Sequence, residues 1–499
     1  MFRLLKFEII KHSFFDPQTF NFVNDTNFSD GPYITLLIGP NGTGKSQLLE
    51  TLARIFNIIQ ASIENGHKVQ NFDCDFNLVY ILDQKHVSIS SVRNVNTIIL
   101  DNKEIELISV PTPSKFLASA INLNDRFPFY TNRNKAKNSK YQYLGIRTAS
   151  NNAFKNNNTL IDRFSNSLTD KSNLHRYKNI FDLLGLKDEI TILYKPGKNL
   201  SLKSNDDIKC LVNPQLLKSR FQKIIDGISN QTRFQIRKDK YSRVISDFSN
   251  LEIISDFFKH RLNYFLADKK SIVYESSIGF NNLPQVGMFL EEVKALKLIR
   301  ELELLNVEKL ILHRKNSKYA FDQASSGEHH ILSGFINLIS TIQTNSIVFI
   351  DEPEISLHPN WQIQYMNLLQ KTFADYSNSH FIISTHSHFL VSDLVPDKSS
   401  IISFHINDNG EIINETLEFD TYGWSTENIL YRVFGVSTVR NHYLEMDLRE
   451  LLTKISHKSD DFNKMKRILS NLKRFELTPD DPLKKIIQTA EKYLKDNGH

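Results

Sequence analysis

The chain has 499 residues, a net charge of +5 and two cysteines. This length is enough for two or three domains with a large buried core, and the mild positive charge permits contact with nucleic acid without requiring it. The longest apolar runs have the size of strands, well short of the ~20 residues that a membrane-spanning helix needs. The two cysteines lie far apart and form no metal-binding pattern, and the N-terminus shows no signal-peptide cleavage site. These features predict a cytoplasmic protein with no membrane partner.

The first motif along the chain is a phosphate-binding loop. The apolar segment Tyr33–Ile38 predicts a buried strand, and it is followed by GPNGTGKS at residues 39–46 and by a helix-periodic segment. This is GxxxxGK[ST] in the strand–loop–helix context that the motif requires. Glycine backbone N–H groups and the helix N-terminus together bind anions. We therefore predict ATP binding, with Lys45 on the β- and γ-phosphates and Ser46 on Mg²⁺. The predicted nucleotide-binding residues are Asn41, Gly42, Thr43, Gly44, Lys45 and Ser46.

The segments on either side of the loop indicate β-structure. Four phenylalanines precede the loop and are assigned to the first strands, where core packing and stacking on an adenine ring are both open: Phe7, Phe14, Phe15 and Phe20. Residues 72–110 alternate apolar and polar side chains between turn residues, which predicts an antiparallel β-meander. The segment Phe116–Tyr130 then reads as a further strand and its loop.

The middle of the chain divides into a basic polar stretch and a helical stretch. Residues 131–175 are rich in Asn, Lys and Ser, and their cations beside Tyr141 and Tyr143 suit either a solvated loop or a loop that contacts DNA phosphates. Residues 176–320 are mostly helical by pattern, most clearly at Met288–Leu305, and predict an inserted helical lid. Basic residues recur in both stretches: Arg133, Lys135, Lys137, Lys140, Arg147, Arg220, Lys223, Arg233, Arg237, Lys238, Lys240 and Arg243.

A short polar motif precedes the next apolar helix. Residues 324–328 read ASSGE and lead into the segment His329–Thr341. The motif resembles the signature sequence of ABC ATPases, in the form seen in the SMC-, RecF- and OLD-like branch. There it contacts the γ-phosphate held by the other subunit, and the matching residues are Ser325, Ser326 and Gly327. A plain polar helix cap is the alternative interpretation.

The most informative segment of the chain follows at residues 346–362. Ile347–Ile350 predicts a buried parallel strand, and Asp351 and Glu352 come at its C-terminal end, where an open α/β sheet has its ligand site. Buried carboxylates are costly unless they hold a cation or move protons. We predict that Asp351 holds Mg²⁺ together with Ser46, and that Glu352 is the catalytic base that polarises the attacking water.

The last motif is a strand, HFIIS at residues 380–384, that ends in Thr385, His386 and Ser387. It resembles the switch of ABC ATPases, in which His386 would sense the γ-phosphate and orient water. Taken alone, His386 is equally compatible with a hydrogen-bonded histidine at a strand end. The catalytic residues expected from all the motifs together are Glu352, His386 and Lys45.

The order of the motifs resembles the ABC-type ATPases of the SMC/RecF/OLD-like branch over residues 1–60 and 320–400. This resemblance implies an α/β P-loop core with a mixed sheet, and head-to-tail dimers in which one chain completes the other's site with its signature. The family also carries a glutamine loop, and here Asn124 or Asp125 stands where that glutamine is expected; Gln84 and Gln142 are weaker candidates. Hydrolysis is expected, and slow turnover used as a switch is as compatible with the motifs as a motor.

The end of the chain reads as a hairpin with a turn at Asn409-Gly410, followed by amphipathic helices. Those helices are predicted at Tyr443–Ile455, Asp461–Phe475 and Pro482–Lys495. No segment resembles a Toprim or HNH nuclease. The expected organisation is an ATPase lobe at 1–130, a basic loop and helical insertion at 131–320, a second ATPase lobe at 321–420 and a helical partner-docking tail at 421–499.

The whole layout, with DEPEISLHP, STHS and the later STENIL…FGV, is similar to the PtuA family, the ATPases of Septu and retron-Septu anti-phage systems. The resemblance implies a homo-oligomeric ATPase that senses and regulates a separate HNH-type, PtuB-like nuclease, with DNA reached through the complex. Three alternatives remain open. They are a PARIS-type ATPase that holds a Toprim nuclease, a RecF/SMC-like repair ATPase that acts on DNA without a toxic partner, and a scaffold that barely hydrolyses ATP.

Overall fold

The chain is described here from a computed structural model. The described residues are 1–23, 31–66, 72–93, 95–122, 124–129, 140–145, 157–168, 170–228, 232–267, 273–279, 283–376, 378–395, 397–407, 409–417, 424, 428–430, 442–457, 461–472 and 482–496. They fall into two compact units, residues 1–424 and residues 425–499.

The strands and helices are numbered in chain order. The strands are β1 (Phe2–Lys11), β2 (Gln18–Asn21), β3 (Tyr33–Ile38), β4 (Asp75–Leu82), β5 (Lys85–Val92), β6 (Val95–Leu100), β7 (Lys103–Glu104), β8 (Phe116–Ala120), β9 (Tyr141–Tyr143), β10 (Glu189–Pro196), β11 (Tyr274–Gly279), β12 (Leu305–His313), β13 (Lys318–Ala320), β14 (Ile347–Asp351), β15 (His380–Ser384), β16 (Ser399–Ile406) and β17 (Ile412–Thr416). The α-helices are α1 (Lys45–Asn65), α2 (Asn157–Ser167), α3 (Ser172–Leu184), α4 (Asn205–Val212), α5 (Pro214–Asp226), α6 (Thr232–Ser246), α7 (Phe248–Ala267), α8 (Leu283–Glu301), α9 (Ser326–Ile339), α10 (Pro359–Thr372), α11 (His388–Ser392), α12 (His442–Ser456), α13 (Phe462–Leu472) and α14 (Pro482–Asp496).

The centre of the first unit is a seven-stranded sheet with the order β17-β16-β3-β15-β14-β8-β9. Its strands pair in parallel except for β17, which pairs antiparallel with β16. Every residue of β3, β14 and β15 is buried, as expected for parallel strands that are covered on both faces and are therefore mostly apolar. The predicted α/β class with a mixed central sheet is confirmed.

A second sheet, with the order β2-β1-β4-β5-β6-β7, is antiparallel throughout. Burial alternates along β4 and β5, as expected for strands with one face on the core. Aromatic rings join this sheet to the central one: Phe2 contacts Phe56 of α1 at a centroid distance of 6.1 Å, and Phe56 stacks on Phe116 of β8 at 5.5 Å. The predicted β-meander is confirmed as part of this sheet.

The insertion between the two halves of the core is helical, as predicted, but it also contains a sheet. Four antiparallel strands run in the order β11-β10-β12-β13. The helix predicted over Met288–Leu305 is wrong at its C-terminal end, because α8 ends at Glu301 and Leu305 already begins β12. Glu303 makes the turn with a φ of 53°. A short apolar run fits a helix and a buried strand equally well, which is why the pattern missed this boundary.

The second unit contains the helices α12, α13 and α14. They share a small apolar core of their own, formed by Leu451, Met465, Ile468, Leu469, Leu472, Leu483, Ile487, Ala490 and Leu494. The predicted helical C-terminal part is confirmed, whereas its role in docking and the four-part domain division stay predictions. Most of the STENIL…FGV segment, with Arg440 and Asn441, lies outside the described residues. Among the helices that the structure describes, none is both long and apolar enough to cross a membrane.

Candidate nucleotide-binding site

The register of the central sheet brings four chain segments to one edge. Ser384 of β15 lies opposite Asp351 of β14 and opposite Leu37 of β3, while Ala120 of β8 lies on the other side of Asp351. Since these strands are parallel, their carboxyl ends meet at the same edge, which is where α/β sheets bind ligands. The segments that follow the four strands therefore share one crevice.

The loop between β3 and α1 has a backbone that glycine adopts most easily. Gly39, Gly42 and Gly44 have φ values of 140°, 82° and 90°. A Cβ atom at Gly44 would lie 2.5 Å from a ring carbon of Phe14 and 2.6 Å from one of Phe15, so both rings press on the loop. The two rings belong to the connection between β1 and β2, which corrects their assignment to strands. Among the four phenylalanines, Phe14 is 43% exposed, whereas Phe7, Phe15 and Phe20 are buried.

Lys45, the first residue of α1, is folded over this loop. Its Nζ donates hydrogen bonds to the carbonyl oxygens of Gly39 and Pro40, both at 2.9 Å, and the residue is 4% exposed. Burial lowers the pKa of Lys45 to about 8, although the carboxylates of Glu352 and Asp351 partly offset this. The structure thus holds a desolvated cation directly over the predicted phosphate-binding backbone.

Ser46 and Asp351 meet as the sequence predicted. The Ser46 hydroxyl donates to Asp351 Oδ1 at 2.8 Å, and the Ser384 hydroxyl donates to the same oxygen. Burial raises the pKa of Asp351 above its ordinary value, and the two hydroxyls only partly counter this. The carboxylate is therefore incompletely compensated by the protein, which favours a cation beside it.

Glu352 and His386 form a second pair next to Asp351. Glu352 Oε1 lies 3.5 Å from His386 Nε2, and both side chains remain about one-third accessible, 27% and 31%. The contact with His386 lowers the pKa of Glu352 and outweighs its burial, so this carboxylate is ionised at neutral pH. Glu352 also has a φ of 50°, an uncommon backbone conformation for a residue with a Cβ atom.

Glu354 belongs to this cluster and was missed by the sequence reasoning. Its Oε1 accepts the backbone N–H of His386 at 2.6 Å, and burial raises the pKa of its carboxyl group. The contact ties the loop after β14 to the loop after β15, and so fixes the backbone that carries His386. The available signal was a third acidic residue, two positions after Glu352, in a segment that is otherwise mostly apolar.

The loop after β8 also reaches this edge of the sheet. Asp125 accepts a hydrogen bond from the Tyr143 hydroxyl at 2.5 Å and is 7% exposed, so its side chain braces the loop itself. Asn124 is exposed. The neighbouring Arg126 reaches α1, where its Nη1 donates to Gln47 Oε1 at 2.5 Å. In the loop where the sequence predicts the equivalent of that glutamine, Arg126 contacts the helix that follows the phosphate-binding loop.

The remaining sequence candidates lie elsewhere. Gln84 is in the turn between β4 and β5, beside Asp83, which binds Asn345 at the opposite edge of the sheet. Gln142 is on the edge strand β9. In the basic stretch, Lys140 donates to Thr112 Oγ1 at 2.8 Å, which makes it a structural contact. The other cations predicted there, Arg133, Lys135, Lys137 and Arg147, lie outside the described residues.

The signature residues begin α9 and form a complete helix cap. The Ser325 side chain accepts the backbone N–H of Glu328 at 3.3 Å, and Glu328 Oε2 accepts the backbone N–H of Ser325 at 2.9 Å. This is a capping box, as the pattern S-x-x-E indicates. Ser326 is exposed, and a Cβ atom at Gly327 would lie 2.9 Å from both Ser356 O and the Trp361 ring.

Glu328 anchors this helix end to the insertion. It is 3% exposed, and its Oε1 accepts hydrogen bonds from Arg314 Nη2 and the Tyr319 hydroxyl, both at 2.6 Å. Burial alone would raise the pKa of Glu328, but the donors from Tyr319, Ser325 and Arg314 hold it below its ordinary value. Within the described residues, Glu328 contacts the β12–β13 hairpin, Gly327 lies against the loop after β14, and Ser326 is exposed. The helix-cap and signature interpretations are therefore compatible.

The donor set at the sheet edge fits a nucleotide with Mg²⁺. A hydroxyl and a carboxylate meet at Ser46 and Asp351, and Mg²⁺ takes such oxygen ligands together with phosphate oxygens and water. Among the described residues, no group of three His, Cys, Asp or Glu side chains could hold a metal by itself. The Ser46 hydroxyl and the Asp351 carboxylate suit an ion that takes its other ligands from a bound phosphate chain and water.

Comparison with known proteins finds relatives of this chain by sequence. The Retron Vc95 probable ATPase of Vibrio cholerae serotype O1 biovar El Tor is 24% identical over 403 residues, covering 74% of this chain and 68% of that protein. The Septu protein PtuA of Bacillus thuringiensis is 24% identical over 197 residues, which cover 36% of this chain and 47% of that protein. The Retron Ec83 probable ATPase of Escherichia coli is 34% identical over 89 residues, covering 16% of each. The predicted resemblance to PtuA and retron ATPases is confirmed at this level of identity.

Among solved structures, the Smc head domain of Pyrococcus furiosus is 10% identical, with a TM-score of 0.35 and coverage of 84% of this chain and 96% of that chain. The SMC head domain of Thermotoga maritima is 12% identical, with a TM-score of 0.32 and coverage of 84% and 100%. A family model described as "AAA domain, putative AbiEii toxin, Type IV TA system" matches residues 34–392. This range holds the phosphate-binding loop, the signature, the Asp351 strand and the switch, and the chain belongs to that AAA-domain family.

Proposed function

We propose that the protein binds and hydrolyses ATP and, through that cycle, senses and regulates a separate nuclease in bacterial anti-phage defence. The observation that carries the ATPase part is the hydrogen bond between Ser46 and Asp351, because it joins the phosphate-binding loop to the acidic strand end. Beside it, Glu352 contacts His386, and this contact lowers the pKa of Glu352 and keeps the glutamate ionised.

Each residue at the edge has a separate task in hydrolysis. Lys45 and the loop backbone bind the phosphates, since the ammonium gains far more from phosphate oxygens than from two carbonyls. Ser46 and Asp351 would hold Mg²⁺, which would supply charge neutralisation for the phosphates. Glu352 takes the proton of the attacking water, and His386 keeps that carboxylate ionised and orients it. Glu354 fixes the His386 backbone and acts through it as a positioning residue.

The proposed assembly is a head-to-tail dimer or a larger homo-oligomer. Within the described residues, Ser325 caps α9, Gly327 lies against the loop after β14, and Ser326 is exposed. We propose that these three residues serve the nucleotide of a second copy. The exposed Ser326 at the N-terminus of α9 suits that role because a helix N-terminus attracts phosphate.

The defence role rests on the relatives. Two of them are named retron ATPases and one is the Septu protein PtuA. A separate HNH-type nuclease, cytoplasmic location and contact with DNA through the complex follow from this resemblance as proposals. The helices α12 to α14 form a compact unit with its own core, which suits a docking module for such a partner.

Two experiments test the proposal separately. The first measures ATP turnover of the purified chain and of Lys45→Ala, and an equal signal from both would remove the ATPase assignment. The second purifies the chain from cells that express its native operon and identifies co-purifying proteins by mass spectrometry. A stoichiometric HNH-type protein supports the nuclease-regulator role, and a Toprim protein supports the PARIS-type alternative. Purification alone, with turnover stimulated by DNA, supports a repair ATPase instead.

A further inference from the structure

The insertion contains a cleft that the nucleotide site does not use. It has a volume of about 250 Å³ and lies between α2, α6, α8 and the start of β12. Three cations line it, Lys240 from α6 and Lys297 and Arg300 from α8, together with the carboxylates of Glu301 and Glu303. Lys240, one of the basic residues noted in the sequence, thus shares one concave surface with Lys297 and Arg300.

The Glu303 carboxylate is already neutralised from outside the cleft. Glu303 pairs with Lys198 and accepts a hydrogen bond from the Tyr241 hydroxyl at 2.6 Å, and Arg237 Nε lies 3.5 Å from its Oε2. Burial alone would raise the pKa of Glu303, but these donors hold it below its ordinary value. The carboxylate is therefore ionised and already engaged, so it does not need the lysines of the cleft.

Glu301 is engaged in the same way. Its Oε2 accepts a hydrogen bond from Arg243 Nη2 at 3.0 Å. Six cations therefore surround two carboxylates when the cleft and these supporting contacts are taken together: Lys198, Arg237, Lys240, Arg243, Lys297 and Arg300. The local balance of charge is strongly positive.

The cations that face the cleft are only partly hydrated. Lys240 and Lys297 are partly buried, and neither makes a hydrogen bond or an ion pair with any residue in the described part of the chain. Burial lowers the pKa of Arg300 to about 10, with Glu301 as the carboxylate that opposes the shift. Partly desolvated cations in a concave site bind an anion more strongly than exposed ones do.

We infer that this cleft binds the phosphate groups of a ligand, with the ammonium groups of Lys240 and Lys297 and the amide of Asn306 as donors. Phosphate matches the site because it offers several charged acceptor oxygens to separate donors. The volume exceeds that of a single phosphate group and accommodates a diphosphate. The phosphates belong either to a small phosphorylated molecule or to a nucleic-acid backbone, and this chemistry is the same in both cases.

The test uses the full chain with Lys45→Ala, so that the phosphate-binding loop does not compete. Pyrophosphate binding is measured by calorimetry, and binding of a short single-stranded oligodeoxynucleotide is measured by fluorescence anisotropy. Both are repeated after Lys240→Gln with Lys297→Gln and after the matched control Lys294→Gln, an exposed lysine one turn earlier on α8. We expect at least about a tenfold loss of affinity in the double variant, since charge-assisted hydrogen bonds are lost, and no loss in the control.

The two arms identify the source of the phosphate. Loss of pyrophosphate binding assigns a small phosphorylated ligand, and loss confined to the oligonucleotide assigns a nucleic-acid backbone. Equal binding by the double variant and the control, or no binding of either probe, overturns the inference. Lys297→Arg, made in place of Lys297→Gln, keeps the positive charge and should retain affinity. Retained affinity shows that the loss in the double variant comes from the lost charge and not from misfolding. Lys240→Gln alone repeats the test with a single change on a different helix.

Discussion

Two ends of secondary-structure elements in this molecule carry predicted nucleotide contacts, and they are built in different ways. At the carboxyl edge of the central sheet, Ser46 and Asp351 come from distant parts of the sequence and meet through strand register. At the N-terminus of α9, Ser325 and Glu328 are held by a local capping box. The first arrangement depends on the whole sheet, whereas the second depends on a few side chains around one helix end.

The buried acids of the two regions make the contrast chemical. Burial raises the pKa of Asp351, because two serine hydroxyls do not compensate a carboxylate. Glu328 is also buried, yet its donors from Tyr319, Ser325 and Arg314 hold its pKa below the ordinary value. An acid that the protein leaves under-compensated has a use for a cation, and one that is fully engaged is a structural support. The donors around each carboxylate, together with its desolvation, therefore separate the proposed metal ligand from the anchor.

The largest effect is expected at the sheet edge. Glu352→Gln removes the proposed base but keeps the size of the side chain, so ATP turnover should fall by about 10²–10⁴-fold while ATP binding persists. Steady-state phosphate release and nucleotide affinity measure the two separately. The control is Glu308→Gln, an exposed glutamate on β12, which should turn over normally. Wild-type turnover in Glu352→Gln would refute the assignment of the base.

The next effect separates the two regions. Ser326→Arg adds a bulky cation to the exposed start of α9 and should abolish ATP-dependent association of two copies, while each copy still binds ATP at its own sheet edge. Light scattering with and without ATP measures association. Ser219→Arg, on an exposed face of α5, is the matched control. Association that survives Ser326→Arg would contradict the model in which the signature acts on a second copy.

A smaller effect follows from the pKa of Lys45, which is about 8 in the folded chain against an ordinary 10.5. Only the protonated lysine binds phosphate strongly, so ATP affinity should fall above pH 8 by up to about tenfold per pH unit. Lys45→Arg should remove this dependence.

The effect of pH on folding stability should have the opposite sign: the free energy of unfolding should rise as the pH increases above 8. The pKa of Lys45 is about 8 in the folded state and 10.5 ordinarily, so the protonated lysine destabilises the folded state below pH 8. This destabilisation decreases as the pH rises from 8 to 10.5. Lys45→Met should therefore unfold at a higher temperature than the wild type at pH 7, with the difference narrowing toward pH 10. A constant difference across this range would contradict the shifted pKa.

The smallest effect is expected at the signature anchor. Tyr319→Phe removes one donor from the Glu328 carboxylate and should lower the free energy of unfolding by about 1.5–3 kcal/mol, as for other hydrogen bonds to charged groups. Denaturant unfolding measures it. The control is Tyr80→Phe, whose hydroxyl donates to the neutral carbonyl of Pro111 at 2.7 Å, with an expected cost of about 0.5–1.5 kcal/mol. A larger loss in the control would show that Glu328 does not depend on Tyr319.

The sequence predicts those parts of the site that follow from local motifs. The strand Tyr33–Ile38 and the acidic end of β14 can be predicted from the sequence, because buried parallel strands appear as continuous apolar runs. Their meeting at Ser46 and Asp351 follows from the known order of such sheets. Motif and register together account for the predicted nucleotide and metal contacts.

Other contacts depend on tertiary packing and have no local signal. Phe14 contacts Gly44, and Arg126 contacts Gln47. Each contact joins two segments whose sequence patterns give no sign that they are neighbours. The four-stranded sheet of the insertion was missed because apolar runs between helices fit both periods. Glu354 is visible in the sequence as a third acidic residue. Its hydrogen bond to the His386 backbone could not be predicted, because the sequence does not show which loops are neighbours.

The left-handed backbone of Glu352 has a consequence for the evolution of this chain. A residue with a long side chain at a φ of 50° costs about 1–3 kcal/mol relative to a relaxed conformation, and asparagine or glycine adopts that conformation more readily. Lineages that lose selection for hydrolysis therefore gain stability by replacing this glutamate, even though its neighbours stay unchanged. In a library of all substitutions at this position, sorting for folded protein should enrich Glu352→Asn and Glu352→Gly, and sorting for defence should restore glutamate. Enrichment of glutamate only in the sort for defence would support the proposed catalytic role of Glu352.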